Sequence, residues 1–463
     1  MNELVVKNGI IVTPDGVQSL DMAVNSGKIT ALSPRGTLSG VQEIDAKGML
    51  VFPGGIDTHV HFEEPGCTDW EDWAHASRAA AKGGITTVVD MPVDNIPSTI
   101  DGETLLLKKK AAESSSLVDF CLWGGLTKEA LPTLLQMTDL GAVGWKCFLC
   151  DCGGPYFPPA DDGTLFEGLK TAAKTGHVVT VHCEDAEMID FYTAQCREQG
   201  RMENQDWSRV RPVESELVAV NKVLFMAELT GARINIAHIS CAQVVDLIQE
   251  AKQRGLPVTA ETCAHYLCFD GEDVKQKGVM LKCSPPIRDE GAREALWQRV
   301  VEGKVDFVAS DHSPASAELK DRFSDDMDKG WGGISGVQFT LNVLYTHGVS
   351  KRGLSLDELV RVFSSNAART LGLWGRKGAL AVGFDADFVI FDPDKEWVAR
   401  SEDYMAKVKR SPYIGETFQG EVAATYLRGN CIYDRACPEM EIQQMGQMLY
   451  PVSQAGEPLM SNI

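Results

Sequence analysis

The segment Asp57-Thr58-His59-Val60-His61 sets two imidazoles two residues apart. It closes an apolar run from Met49 to Ile56 that reads as one buried strand. On a strand, residues two apart share a face, so His59 and His61 aim together. Two imidazoles on one face make half of a metal site. The same spacing also fits a solvent-facing histidine beside a buried one, since short metal motifs recur by chance. Four later apolar runs end in a residue that could ligate or titrate. Residues 178–181 run into His182, 234–237 into His238, 306–310 into Asp311, and 141–145 into Lys146. With helix-like stretches between them, such runs fit a barrel whose functional groups sit at the C-terminal ends of its strands.

A lysine in a buried strand is costly unless paired. Its ordinary partner would be a carboxylate at the barrel rim. Charge counting offers a second reading for Lys146. Four candidate imidazoles and one candidate aspartate give too little negative charge for two divalent cations about 3.5–4 Å apart. Reaction of the amine with carbon dioxide would make a carbamate, with one negative charge and two oxygens able to bridge both metals. With a carbamate, Asp311 and a bridging hydroxide, a residual charge of about +1 would stabilise a developing oxyanion.

The elements that must position these groups can be followed along the chain. Strand-like runs lie near Val51, Thr86, Phe120, Gly144, Val178, Ile234, Val258 and Asp306. Helical patterns separate them, as at residues 70–82, 216–230 and 242–254. The alternation predicts an α/β chain built on a (β/α)8 TIM barrel. The flanks differ. Residues 4–44 hold short β-rich runs broken by the turn signals Asn8-Gly9, Asp15-Gly16 and Ser26-Gly27, and residues 378–433 repeat that character. We expect a small β-sandwich formed from both chain ends. The expected domains are 1–52 (small β-domain, first part), 53–374 (catalytic barrel), 375–435 (small β-domain, second part) and 436–463 (C-terminal tail).

Composition narrows the functional classes. A chain of 463 residues that is 44% hydrophobic can bury a large core. No apolar run reaches the roughly eighteen residues of a membrane span, and the N-terminus lacks the pattern of a secretory signal. Thirteen scattered cysteines fit reduced thiols in a cytoplasmic enzyme better than a disulfide framework. A net charge of −21 repels nucleic acid and anionic membranes, so neither is an expected partner.

The residues above, with Glu64-Pro65-Gly66, Gly144-Trp145-Lys146-Cys147-Phe148, Val181-His182-Cys183-Glu184, Cys283-Ser284-Pro285-Pro286-Ile287-Arg288 and Ser310-Asp311-His312-Ser313-Pro314, resemble the cyclic amidohydrolases of the amidohydrolase superfamily. Within that branch they look most like the allantoinases, over nearly the whole chain up to Tyr433. The resemblance implies that His59, His61, an N6-carboxylated Lys146 and Asp311 hold one metal, and that Lys146, His182 and His238 hold the other. It implies two divalent ions, zinc first, with cobalt or manganese accepted. It also implies a homo-oligomer, dimer or tetramer. The reaction would be hydrolysis of allantoin to allantoate in purine catabolism, with a metal-bridging hydroxide as nucleophile and Asp311 as general acid and base.

Rival substrates are weighed against single positions. Dihydroorotases usually carry an arginine two residues after the second histidine, to pair with the substrate carboxylate; here that position is Glu63. Dihydropyrimidinases carry a tyrosine shortly after the modified lysine, where this chain has Leu149-Cys150-Asp151-Cys152. The branch commonly has asparagine where this chain has Asp94. A hydantoinase or dihydropyrimidinase remains the alternative, and a non-catalytic interaction protein of the same fold the more distant one. Glu63, Cys152, Ser284 and His312 are the candidate substrate contacts. For Cys152 the alternative is a buried inert thiol, for Ser284 a rigid Pro-Pro turn, and for His312 a hydrogen-bonding role behind Asp311. His265 reads as a loop histidine rather than a further ligand.

Overall fold

The computed structural model describes residues 1–152, 156–201, 203–322, 327, 329–438 and 443–451. The N-terminal segment forms β1 (Asn2–Lys7), β2 (Ile10–Thr13), β3 (Gly16–Asn25), β4 (Lys28–Pro34), β5 (Gly40–Asp45) and β6 (Leu50–Pro53). Asn8 and Ser26 adopt left-handed backbone at two of the expected turns. The long strand β3 serves two sheets. Its first residues pair with β2, and residues 20–25 pair with β1 and β4.

The barrel follows as β7 (Gly55–Val60), β8 (Ile85–Asp90), β9 (Asp119–Leu122), β10 (Gly124–Gly125), β11 (Gly144–Phe148), β12 (Val178–His182), β13 (Arg233–Ile236), β14 (Val258–Cys263) and β15 (Phe307–Ala309). With β10 continuing β9, these make eight parallel strands among the described residues. Two joins close the ring. Val143 N–H donates to the Leu122 carbonyl at 3.0 Å, and His61 N–H donates to the His312 carbonyl at 2.7 Å. Helices cover the outside, including Trp73–Lys82, Val213–Thr230 and Ala242–Gln253, within a few residues of the predicted patterns. Asp72 caps the first of these by accepting from His75 N–H.

The chain returns to the small domain as β16 (Phe388–Val398), β17 (Thr417–Leu427) and β18 (Asn430–Asp434). β6 pairs antiparallel with β16 and parallel with β2, which knits the two chain ends together. Leu4, Val6, Met22, Val24, Val51, Phe388 and Ile390 share the buried core of this sandwich.

One expectation is corrected. The run from Met49 to Ile56 is two strands, not one, and the first barrel strand is β7 rather than the run at Val51. The break falls at Gly54, where an added Cβ would lie 2.1 Å from Thr86 Oγ1. Part of the C-terminal tail lies along the barrel: Gly446 N–H donates to Ser116, and Leu449 N–H donates to Phe120. Residues 439–442 and 452–463 of that tail fall outside the described residues. All thirteen cysteines are free thiols. Among the described residues, no helix is long and apolar enough to cross a membrane.

Candidate metal centre

The strand-end residues converge at one mouth of the barrel. His59 Nε2 lies 3.3 Å and His61 Nε2 3.5 Å from the same oxygen of Asp311. The other nitrogen of each ring faces a different carboxylate. His59 Nδ1 is 2.6 Å from Glu261, and His61 Nδ1 is 3.0 Å from Asp94. The second Glu261 oxygen accepts from Thr58 Oγ1 and Asn235 Nδ2, each at 3.0 Å. Carboxylates in these places fix the ring tautomers and leave Nε2 free to ligate.

A second pair faces the first. His182 Nδ1 lies 3.0 Å from His238 Nε2, while His182 Nε2 is 2.8 Å from Glu184. Arg211 in turn donates to that Glu184 oxygen at 2.5 Å. The His59 and His238 ring centroids are 5.2 Å apart, so the two pairs adjoin. Lys146 is fully buried beside them, with no hydrogen-bond partner for Nζ, 4.8 Å above the Phe148 ring. Imidazole nitrogens turned toward each other, a shared carboxylate oxygen and an orphaned buried amine form a donor set that fits divalent cations.

Backbone and charge are unusual here as well. His238, Asp311, Asp94 and Glu63 all have left-handed φ, between 37° and 69°. Non-glycine residues hold such angles only where surrounding structure enforces them. Burial, with the charge of Lys146, holds His59 and His238 below the ordinary histidine range. His61 moves up to about 9: burial opposes the shift, and Asp311 and Asp94 outweigh it. Burial also pushes Asp311 up, but His59, His61 and His238 outweigh it and hold the carboxyl well below its usual range. Burial lowers the Lys146 amine.

A cavity of about 270 Å³ opens above these groups. Asp94, Cys152, Arg211, Ser284 and Trp331 line it together with the histidines. Of the four candidate substrate contacts, Cys152 and Ser284 lie on its wall. Glu63 and His312 are buried and are not among the residues that line it. β7 ends at Val60 and the chain turns left-handed at Glu63. Its carboxyl is buried without a partner, and burial together with Asp94 and Asp90 raises its pKa. His312 is buried behind Asp311, where Nδ1 accepts from Gly336 N–H at 3.1 Å. His265 is fully buried in the helical turn Ala264–Cys268, not in a loop. Glu261, Glu184 and Arg211 were missed by sequence reading.

The amidohydrolase family profile matches residues 50–432. An allantoinase of Deinococcus radiodurans is 40% identical over 97% of this chain and 99% of its own. One of Solibacter usitatus is 41% identical over 97% of each. An L-hydantoinase (dihydropyrimidinase) from Arthrobacter aurescens superposes with a TM-score of 0.94 at 32% identity, covering 97% of this chain and all of that one.

Proposed function

The chain belongs to the amidohydrolase family, and on that premise we propose that it hydrolyses the hydantoin ring of allantoin to give allantoate. The observation that carries the reading is the convergence of four imidazoles and Asp311 around the partnerless Lys146, beneath a cavity sized for a small molecule. The family and these donors imply a binuclear metal centre. His59, His61, Lys146 and Asp311 would hold one ion, and Lys146, His182 and His238 the other. Zinc suits this donor set, as do cobalt and manganese. A Lys146 carbamate would supply the bridging anion and resolve the orphaned amine.

When bound, the ions would lower the pKa of a shared water and polarise the scissile carbonyl. Asp311, kept ionised by the histidines around it, would take the proton of the attacking water and deliver it to the leaving ring nitrogen. Glu261 and Glu184 would hold the rings of His59 and His182 in register. The wall at Cys152 and Ser284 would receive the ring and its ureido arm.

The substrate choice rests on the two allantoinase relatives and on local charge. The position two residues after His61 holds Glu63 rather than an arginine, so no cation is supplied there for a substrate carboxylate, and Asp94 adds negative charge to the cavity wall beside His61. A substrate carboxylate would meet repulsion there. The structural likeness to an L-hydantoinase favours a second reading, a hydantoin with a different ring substituent. Comparing kcat/KM on allantoin, hydantoin, dihydrouracil and dihydroorotate separates these. Allantoin should exceed dihydroorotate by orders of magnitude, with dihydrouracil also poor. Comparable efficiency on allantoin and dihydroorotate would defeat the assignment. We also propose a homo-oligomer, dimer or tetramer, as in the resemblance.

A further inference from the structure

Lys320 is a buried lysine for which the proposed chemistry has no use. It lies in the helix Ala317–Arg322 and is 5% exposed. Its Nζ donates to the carbonyls of Val279 (2.9 Å), Trp331 (2.9 Å) and Gly333 (2.7 Å). An ammonium has three donors, and all three are used on backbone oxygens. Two of those oxygens belong to residues that form the cavity wall near Asp311.

Other contacts of that wall include a second ammonium, since Lys282 Nζ donates to the Gly330 carbonyl at 2.7 Å. Gly333 N–H donates to the Lys282 carbonyl at 2.8 Å, and Ser313 N–H donates to Ile334 at 3.0 Å. The Trp331 ring meets Trp70 edge to face at 4.8 Å. Gly333 has φ of +110°, and a Cβ there would come 2.5 Å from the Ser313 carbonyl. The segment therefore lies hard against the chain just beyond Asp311, and its two glycines give it little conformational preference of its own.

We propose that Lys320 is a positioning residue for the substrate: its ammonium gathers the 331–333 wall and so fixes the cavity above Asp311 without touching the substrate. The proposal rests on reading this cavity as the substrate site. Protonation gives it a second signature. Burial draws the Lys320 amine down to about 7, with Lys282 lowering it further and Cys283 acting in the opposite direction. Residues 278–281 and 330–333, which pack against it, carry no ionisable side chain, and Glu318, Asp321 and Arg322 are the charged residues on its own helix. A neutral amine donates two bonds rather than three, so a rise in pH through about 7 releases one carbonyl.

The test uses Lys320→Met, with Lys320→Arg as the charge-conserving variant, in metal-loaded protein. KM is measured on whichever cyclic amide the wild type turns over. Quenching of Trp331 by acrylamide, taken as the difference from a Trp331→Phe chain, is measured without substrate. Lys320→Met should raise KM by about tenfold with kcat within about threefold, and should expose Trp331; the arginine should restore part of both. A folded Lys320→Met with wild-type KM, or one that loses kcat at unchanged KM, would overturn the proposal. Should that variant not fold, wild-type KM and Trp331 quenching must rise together between about pH 6 and 8, and a flat response in both overturns it. The quenching readout is independent of whether allantoin is the substrate.

Discussion

At the scale of single residues, the site depends on groups that would touch neither metal nor substrate. Glu261 reaches His59 Nδ1 at 2.6 Å and so decides which nitrogen that ring offers to Asp311's side. Glu261→Gln keeps the shape and removes the charge. We expect metal affinity and kcat/KM to fall by about 10–100-fold with the fold retained, read by metal titration and steady-state kinetics. Wild-type affinity would mean that the ring is held by packing alone. The ligand candidates were legible because each ends an apolar run, where an imidazole or carboxylate stands out. Glu261 carries the same kind of mark, a carboxylate inside the buried run of β14, where an unpaired charge would be costly. Glu184 shares with His182 the two-residue spacing that drew attention to His59 and His61. Arg211 had no such mark, since it arrives from the connection before the helix Val213–Thr230. Glu63 was singled out by its place two residues after His61, a spacing that does not report where the chain turns beyond the end of β7.

At the scale of elements, the strands were legible but their sheet was not. An apolar run reports burial, and both halves of the run from Met49 to Ile56 are buried. Only Gly54 marks the point where the chain leaves β6 in the small sandwich and enters β7 in the barrel. Gly54→Ala would drive a methyl group into Thr86. Overpacking of this kind costs about 1–3 kcal/mol, so a lowered Tm is expected, and kcat/KM should fall because β7 carries His59. An unchanged Tm would show that Thr86 yields without cost.

At the scale of the whole molecule, a buried ion cluster joins barrel, sandwich and tail. Lys377 Nζ lies 2.6 Å from Asp119 of β9, 3.0 Å from Asp385 and 2.5 Å from Asp387 just before β16. Gln447 N–H of the tail donates to the same Asp119 at 2.9 Å. Lys377→Met would leave these carboxylates with less compensation at a cost of about 3–5 kcal/mol, measured by denaturant unfolding. A loss below about 1 kcal/mol would mean that Arg428, which also donates to Asp119, suffices. Sequence patterning disclosed two β-rich flanks around a barrel, but not this cluster, whose members are far apart along the chain and ordinary in type. The metal-dependent opening of allantoin is tested most directly by native mass spectrometry of a preparation that is turning allantoin over. Two divalent ions and one added carbon dioxide per chain are expected, with turnover proportional to the ions bound and abolished by chelation. Full turnover by chains with the mass of the bare polypeptide would contradict it.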